Sequence, residues 1–382
     1  MKEIIVIGAD HHNTLGVLRS LGEKGINSIL LLISENKKSY VAKSKYAKEV
    51  HFLTREEEIP TYLLSHFTNN DRPIIIACYD AVASVLDENR NLLHEAFILP
   101  GVREQGFLTK IMDKEIMLDF AVKAGLNVPY SVTVESTSGG GSLPYPCIVK
   151  PLISKFGSKR DIKRCYNEED WNNYQKEEHC TKVQVQQLIQ KDYEFQLIGC
   201  SLDSGNFVII PGYSQIIRSS DVTNTGYLKY IPSKELLVDR SSCERFLRSI
   251  GYTGLFSMEF LHGKDGNNYF MEINFRNDGN AICVTASGVN LPFIYVQWHN
   301  GSITENSVKN INIDSMRTVY VMPEFDDMIL LLKGEINIFR WIKDIIRTDC
   351  FMEFSKKDPI PFLYALIMFV IRGFKFLGKK IK

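Results

Sequence analysis

Four residues near the middle of the chain have types and spacing that could do chemistry together. Glu259 lies in 255–261 (Leu-Phe-Ser-Met-Glu-Phe-Leu), and Glu272, Asn274 and Arg276 lie in 269–280. Between the two stretches, 262–268 reads His-Gly-Lys-Asp-Gly-Asn-Asn, a cluster of turn formers, so the flanks read as a β-hairpin. Strand alternation sets Phe270, Glu272, Asn274 and Arg276 on one side, with Met271, Ile273 and Phe275 on the other. A fold about Asp265–Gly266 brings Glu259 opposite Glu272. Like charges facing across strands destabilise a sheet unless something compensates. A divalent cation held by two carboxylates and an amide oxygen would compensate, and Arg276 beside them suits a phosphate. The alternative is a solvated polar face on a two-stranded ribbon.

The elements that must position this hairpin come from a chain of 382 residues, long enough for two or three domains. Apolar content of 45% and charged content of 24% are those of an ordinary globular protein. The formal net charge is zero, which argues against nucleic acid as a partner. The eight cysteines are scattered without a Cys-x-x-Cys pair, so they read as thiols in a reducing compartment, not as a disulfide or zinc framework. The chain enters a strand at once, with no cationic-then-apolar leader, and the expectation is a cytoplasmic protein.

Residues 2–8 and 29–33 read as buried parallel strands joined by a helix over 15–24, a βαβ unit. Gly8 and Gly16 stand alone, so the dinucleotide fingerprint is missing and a nicotinamide-dependent oxidoreductase is disfavoured. A further strand at 73–78 leads to Asp80, either a ligand-binding group at a strand's carboxyl end or a helix N-cap. Residues 1–107 therefore read as a small α/β domain. A helix over 108–125 carries Lys114, and a strand at 147–150 ends in Lys150. Next comes Ser154-Lys155-Phe156-Gly157-Ser158-Lys159-Arg160, either a loop that folds over phosphates or a basic surface loop. Strands follow at 183–189, 194–200 and 207–211, then a helix at 239–250 that leads into the hairpin.

This order resembles the ATP-grasp family over residues 1–305. The specific part is Met258-Glu259-Phe260 with Met271-Glu272-Ile273-Asn274-Phe275-Arg276, which looks like the family's paired metal-binding strands. The family commonly has proline after the asparagine, where this chain has Phe275. The resemblance implies an α/β (α+β lobes) ATP-grasp fold, with 1–107 as a Rossmann-like pre-ATP-grasp domain. It also implies an ATP-grasp domain at 108–305 (lobes 108–186 and 187–305) and a C-terminal segment at 306–382. By the same resemblance Lys114 and Lys150 would hold ATP phosphates, and Ser154, Lys155, Gly157 and Ser158 would belong to a mobile lid. Gln187, Leu188 and Ile189 would line adenine, with Gln187 where the family often has glutamate, and Glu194 would take the ribose hydroxyls. Glu259, Glu272 and Asn274 would bind two Mg2+ (or Mn2+) ions. Arg276 and Asn277 would face the reacting phosphoryl group, with Arg218 as a further cation near the γ-phosphate.

The implied activity is that of an ATP-dependent carboxylate–amine ligase working through an acyl phosphate. The alternatives are a non-catalytic ATP-binding regulator and an ATP-grasp carboxylase or carbamoyl-phosphate-type enzyme. Chain length and the short 354–359 stretch also resemble amino-acid ligases of cell-wall or surface-polysaccharide pathways. The expected partners are thus small-molecule carboxylate and amine, a lipid- or nucleotide-linked glycan, and a second copy of the chain. An amphipathic stretch at 329–346 is interrupted by Gly334. The uncharged apolar run at 361–371 is followed by Arg372, Lys375, Lys379, Lys380 and Lys382. That run is too short to span a bilayer. Residues 360–382 either touch the inner face of the membrane or pack on the body.

Overall fold

The computed structural model describes residues 1–35, 37–68, 71–135, 142–151, 163–177, 182–219 and 225–380. The first parallel sheet is built from β1 (Ile4–Ala9), β2 (Ser28–Ile33), β3 (Ala47–Leu53) and β4 (Ile74–Ala77), in the order β3-β2-β1-β4. Ile5, Ile7 and Ile75 face one core while Val6, Leu30 and Ile76 face another, as a sheet covered on both sides requires. After β1 the chain moves outward through β2 and β3, then returns to pair β4 with β1. The carboxyl ends of β1 and β4 therefore flank a topological switch point, where open α/β sheets bind ligands. Helix His12–Gly22 begins ahead of the predicted residue 15, because extended His11 accepts a hydrogen bond from the Asn13 N–H at 3.2 Å.

The predicted helix over 108–125 is two helices, Phe107–Ile111 and Lys114–Lys123. Asp113 is extended between them, and its carboxylate accepts from the N–H groups of Glu115 and Ile116. That cap restarts the helix at Lys114. A second, antiparallel sheet joins β5 (Ser131–Glu135), β6 (Cys147–Pro151), β7 (Lys163–Cys165) and β8 (Lys182–Gln187), in the order β5-β8-β6-β7. Trp171 and Tyr174 of helix Glu168–Glu177 close its small core.

The largest sheet has eight strands: β9 (Lys191–Leu202), β10 (Phe207–Ile209), β11 (Gly212–Ser219), β12 (Gly226–Pro232), β13 (Gly254–Gly263), β14 (Asn268–Asn274), β15 (Val319–Met322) and β16 (Cys350–Phe351). Their order is β14-β13-β9-β11-β12-β15-β16, with β10 on β9. The segment beyond residue 306 is thus woven into this sheet through β15 and β16. Residues 212–219 and 226–232 carry no clean alternation in sequence, yet they form β11 and β12, because neighbouring strands on both sides complete their hydrogen bonds. The cysteines among the described residues are free thiols.

Candidate functional site

The hairpin of β13 and β14 pairs Ser257 with Asn274, Met258 with Ile273 and Glu259 with Glu272, so the two acids do face each other. Beyond that pair the register slips, and Phe260 opposes Phe270. Met271 is the extra residue of a β-bulge, and one extra residue turns the following side chains to the other face. The predicted alternation fails here for that reason: Phe270 sits in the core with Ile273 and Phe275, not beside Glu272. Phe275 is fully buried, its ring centroid 5.0 Å from that of Tyr252.

Asn274 donates from Nδ2 to Glu259 Oε1 at 3.0 Å and to Ser257 Oγ at 3.2 Å, which turns its Oδ1 into the atom on offer to a cation. On the next strand Gln196 donates to Glu259 Oε1 at 3.3 Å and accepts from Asn280 at 2.8 Å. Burial, then Glu272 and Asp278, push Glu259 well above the usual carboxylate range, although Arg276 and the Asn274 hydrogen bond oppose this. Among the described residues, no group of three or more His, Cys, Asp or Glu forms a metal centre. Two carboxylates and an amide suit Mg2+ instead, which binds few protein ligands and fills its shell with water and phosphate oxygens.

Lys114 opens its helix, and Lys150 ends on β6, 7% exposed. Burial and the nearby Lys114 charge lower Lys150 to about 8, and Glu272 partly restores it. Two lysines and an acid from three separate elements are thereby brought within electrostatic reach. Gln187 and Leu188 are fixed through their backbone N–H groups to the Tyr130 and Pro146 carbonyls at 2.8 and 2.9 Å. The hairpin tip meets this connection: Lys264 N–H donates to the Gln190 carbonyl at 2.8 Å, and Gly263 lies against Ile189. Glu194 pairs with Lys191 at 2.5 Å. Ser154, Lys155, Gly157 and Ser158 lie outside the described residues.

Arg276 leaves β14 toward the switch point of the parallel sheet. Its Nη1 donates to Asp278 Oδ2 at 2.9 Å, and its Nε lies 3.3 Å from Asp80 Oδ1. Burial would lower its pKa, but Asp80, Asp278 and Glu259 outweigh that and raise it. Tyr79 takes the N-cap position, so Asp80 is the first residue of helix Asp80–Glu88 and spends its carboxylate on Arg276. Asn277 turns inward. It is 4% exposed, its Nδ2 donates to Asn13 and to the Asp278 carbonyl, and its own carbonyl accepts from Asn13 at 2.7 Å. It clamps the loop to the first helix. Both guanidinium arms of Arg218 are engaged, by Asp327 at 2.5 Å and Asp344 at 2.7 Å.

The sequence reading missed His12. It is 6% exposed, its Nδ1 lies 3.3 Å from Glu353 Oε1, and its Nε2 has no hydrogen-bond partner among the described residues. A Cβ on Gly279 would come 3.5 Å from that Nε2, so the imidazole faces the loop that carries Arg276. Burial lowers its pKa, opposed by Asp326, Glu324 and Asp278. The signal was present as His11-His12 immediately after a strand that ends at a switch point. Glu353 lies far away in sequence and could not be paired with it by spacing.

No family model matches the chain. Over 208 residues it is 23% identical to the formate-dependent phosphoribosylglycinamide formyltransferase of Bacteroides thetaiotaomicron, covering 51% of this chain and 52% of that protein. The chain thus spans about half the length of the curated relatives it matches. N5-carboxyaminoimidazole synthetase from Staphylococcus aureus aligns with a TM-score of 0.62 and 15% identity, over 80% of both chains. The biotin carboxylase domain of Hydrogenobacter thermophilus 2-oxoglutarate carboxylase, solved with MgADP and bicarbonate, gives 0.64 and 17%, over 84% of this chain and 74% of that one. Biotin carboxylase from Campylobacter jejuni gives 0.61 and 18%, over 83% and 74%. Identities this low speak to architecture alone: the chain shares the fold of these solved structures.

Proposed function

We propose that the protein is an ATP-dependent carboxylate–amine ligase that forms an amide through an acyl phosphate and releases ADP and phosphate. The observation that carries this reading is the in-register pair of Glu259 and Glu272 beside Asn274, with Lys114 and Lys150 in electrostatic reach of it. In this reading Lys114 and Lys150 bind the ATP phosphates, Gln187–Ile189 line adenine and Glu194 takes the ribose. Glu259, Glu272 and Asn274 would hold magnesium, which when bound neutralises charge on the phosphates. Arg276, oriented by Asp80 and Asp278, stabilises first the transferring phosphoryl group and then the tetrahedral oxyanion. The amine attacks the acyl carbon, the C–O bond to phosphate breaks, and the amine proton goes to His12 Nε2, with Glu353 holding the ring.

The acceptor in this proposal is an amino acid or amine joined to a lipid- or nucleotide-linked glycan precursor. The apolar, then basic, sequence at 360–382 supports contact with a membrane where such lipids reside. A second reading draws on the carboxylases among the solved structures, one of them bound to bicarbonate: the activated carboxylate would be bicarbonate itself. ADP release measured against a panel of carboxylates, bicarbonate and amines separates the two. Turnover by Glu272→Ala comparable to wild type would sink both.

A further inference from the structure

Helix Ile338–Arg347 is turned the wrong way for a surface helix. None of its residues is buried, and Phe339 and Ile346 are 79% and 80% exposed. Ile338 and Ile342 share the exposed stripe, following the three- and four-residue spacing of one helical face. Asp344 turns inward, where it pairs with the half-buried Arg218, while Arg340, Lys343 and Arg347 stay exposed. Helix Ile360–Lys380 shows a second exposed stripe. Phe362 and Phe369 pack on Phe325, while Ile360, Leu363 and Ile367 stay more than half exposed on another side. Helix Glu324–Leu332 ties the two together, since Phe325 touches one and Asp327 shares Arg218 with Asp344 of the other. Its own Leu332 is 74% exposed. Exposed apolar surface on this scale marks a contact site.

Charge identifies what covers it. Asp344 is the only acid in helix Ile338–Arg347 and Arg218 neutralises it, which leaves Arg340, Lys343 and Arg347. Helix Ile360–Lys380 has no acidic residue and carries Arg372, Lys375, Lys379 and Lys380. The chain as a whole is neutral, so this cationic bias is local. A two-fold contact with a second copy would set the same cations against each other. Among the described residues, no helix is long and apolar enough to cross a membrane. Exposed apolar residues on two helices, flanked on one of them by the exposed Arg340, Lys343 and Arg347, fit the plane of an anionic bilayer surface.

We propose that helices Ile338–Arg347 and Ile360–Lys380 form one docking face that lies flat on an anionic membrane surface. This extends the membrane contact of the ligase reading, but it stands on helix Ile338–Arg347, independent of the acceptor. The test is co-sedimentation of the full chain with phosphatidylcholine vesicles, with and without phosphatidylglycerol. Binding is expected only when phosphatidylglycerol is present, and it weakens as salt rises. The exposed-site variant Phe339→Glu/Ile346→Glu should keep the wild-type melting temperature and bind about ten-fold more weakly or less. Absence of wild-type binding, or equal binding by the variant, overturns the proposal. So does a wild-type dimer that this variant converts to monomer without any vesicle binding. ADP release from the soluble substrate panel is read separately, so failure of the ligase reading would leave the vesicle result standing.

Discussion

Arg276 and Asp80 join the eight-stranded sheet to the parallel one, with Nε 3.3 Å from Oδ1 across a sequence gap that no local pattern bridges. The Asp80 side chain is 53% exposed, so water screens the pair and its share of stability is small. Its value is directional. Asp80→Asn should change unfolding free energy by less than about 1 kcal/mol. Turnover should still fall, by about ten-fold, and Arg276→Met should lower it by about 10²–10³-fold. Steady-state kinetics beside chemical denaturation checks both. An Arg276→Met enzyme of wild-type rate would remove this residue from the mechanism.

Glu259 is held above the usual carboxylate range chiefly by burial and by Glu272 facing it. Removing one charge relieves that conflict when no metal is present. Glu259→Gln should therefore raise the melting temperature by about 2 °C or more in EDTA. The same variant should lose the added stability that MgADP gives the wild type. Scanning calorimetry with and without MgADP decides it, and equal gains in the two proteins would count against the cation site.

Lys150 must be protonated to hold a phosphate, and burial with Lys114 nearby brings it to about 8. Bound nucleotide favours the charged form, so affinity is full below this pH and is lost above it. Lys150→Met should weaken MgADP binding by about 10- to 100-fold at neutral pH and flatten that alkaline decline. Isothermal titration across the pH range reads both effects.

His12 bears on the second half of the reaction alone. His12→Gln should lower amide formation by about 10²–10⁴-fold while ATP-dependent acyl phosphate still forms, trapped with hydroxylamine. Glu353→Gln should shift the pH profile of amide formation with a smaller loss. If both partial reactions fall equally, the imidazole has a structural role only.

His299 sets a stability limit on the acid side. Burial, with Arg72 and Lys2 adding to it, lowers the imidazole from the usual 6.5 to about 4. The unfolded chain then takes up a proton that the folded one refuses, so its contribution is whole above pH 6.5 and is lost as pH falls toward 4. The loss is about 3 kcal/mol from this one group. His299→Gln should flatten the fall in melting temperature between those limits, and an unchanged slope would refute the assignment.

The carboxylate pair was legible in sequence because a hairpin's register follows from its turn and its alternating strands. The parallel strands were legible too, since a strand buried on both faces is a continuous apolar run. Helix starts were read less well: His11 and Asp113 cap through side chains whose hydrogen bonds override periodicity. The bulge at Met271 was invisible, because an inserted residue shows only against a partner strand. The assignments to Arg218 and Asn277 rested on position in a family pattern, and the partners that occupy them, Asp327, Asp344 and Asn13, lie far off in the chain.

The sequence by itself determined the hairpin, its facing acids and the apolar character of the carboxyl-terminal run, all consequences of contacts within a few residues. Tertiary structure alone decided that Asp80 aims Arg276, that Glu353 seats His12, and that Ile338–Arg347 turns its apolar face to solvent. Those depend on which distant groups claim a side chain's charge, and a one-dimensional pattern does not encode that competition.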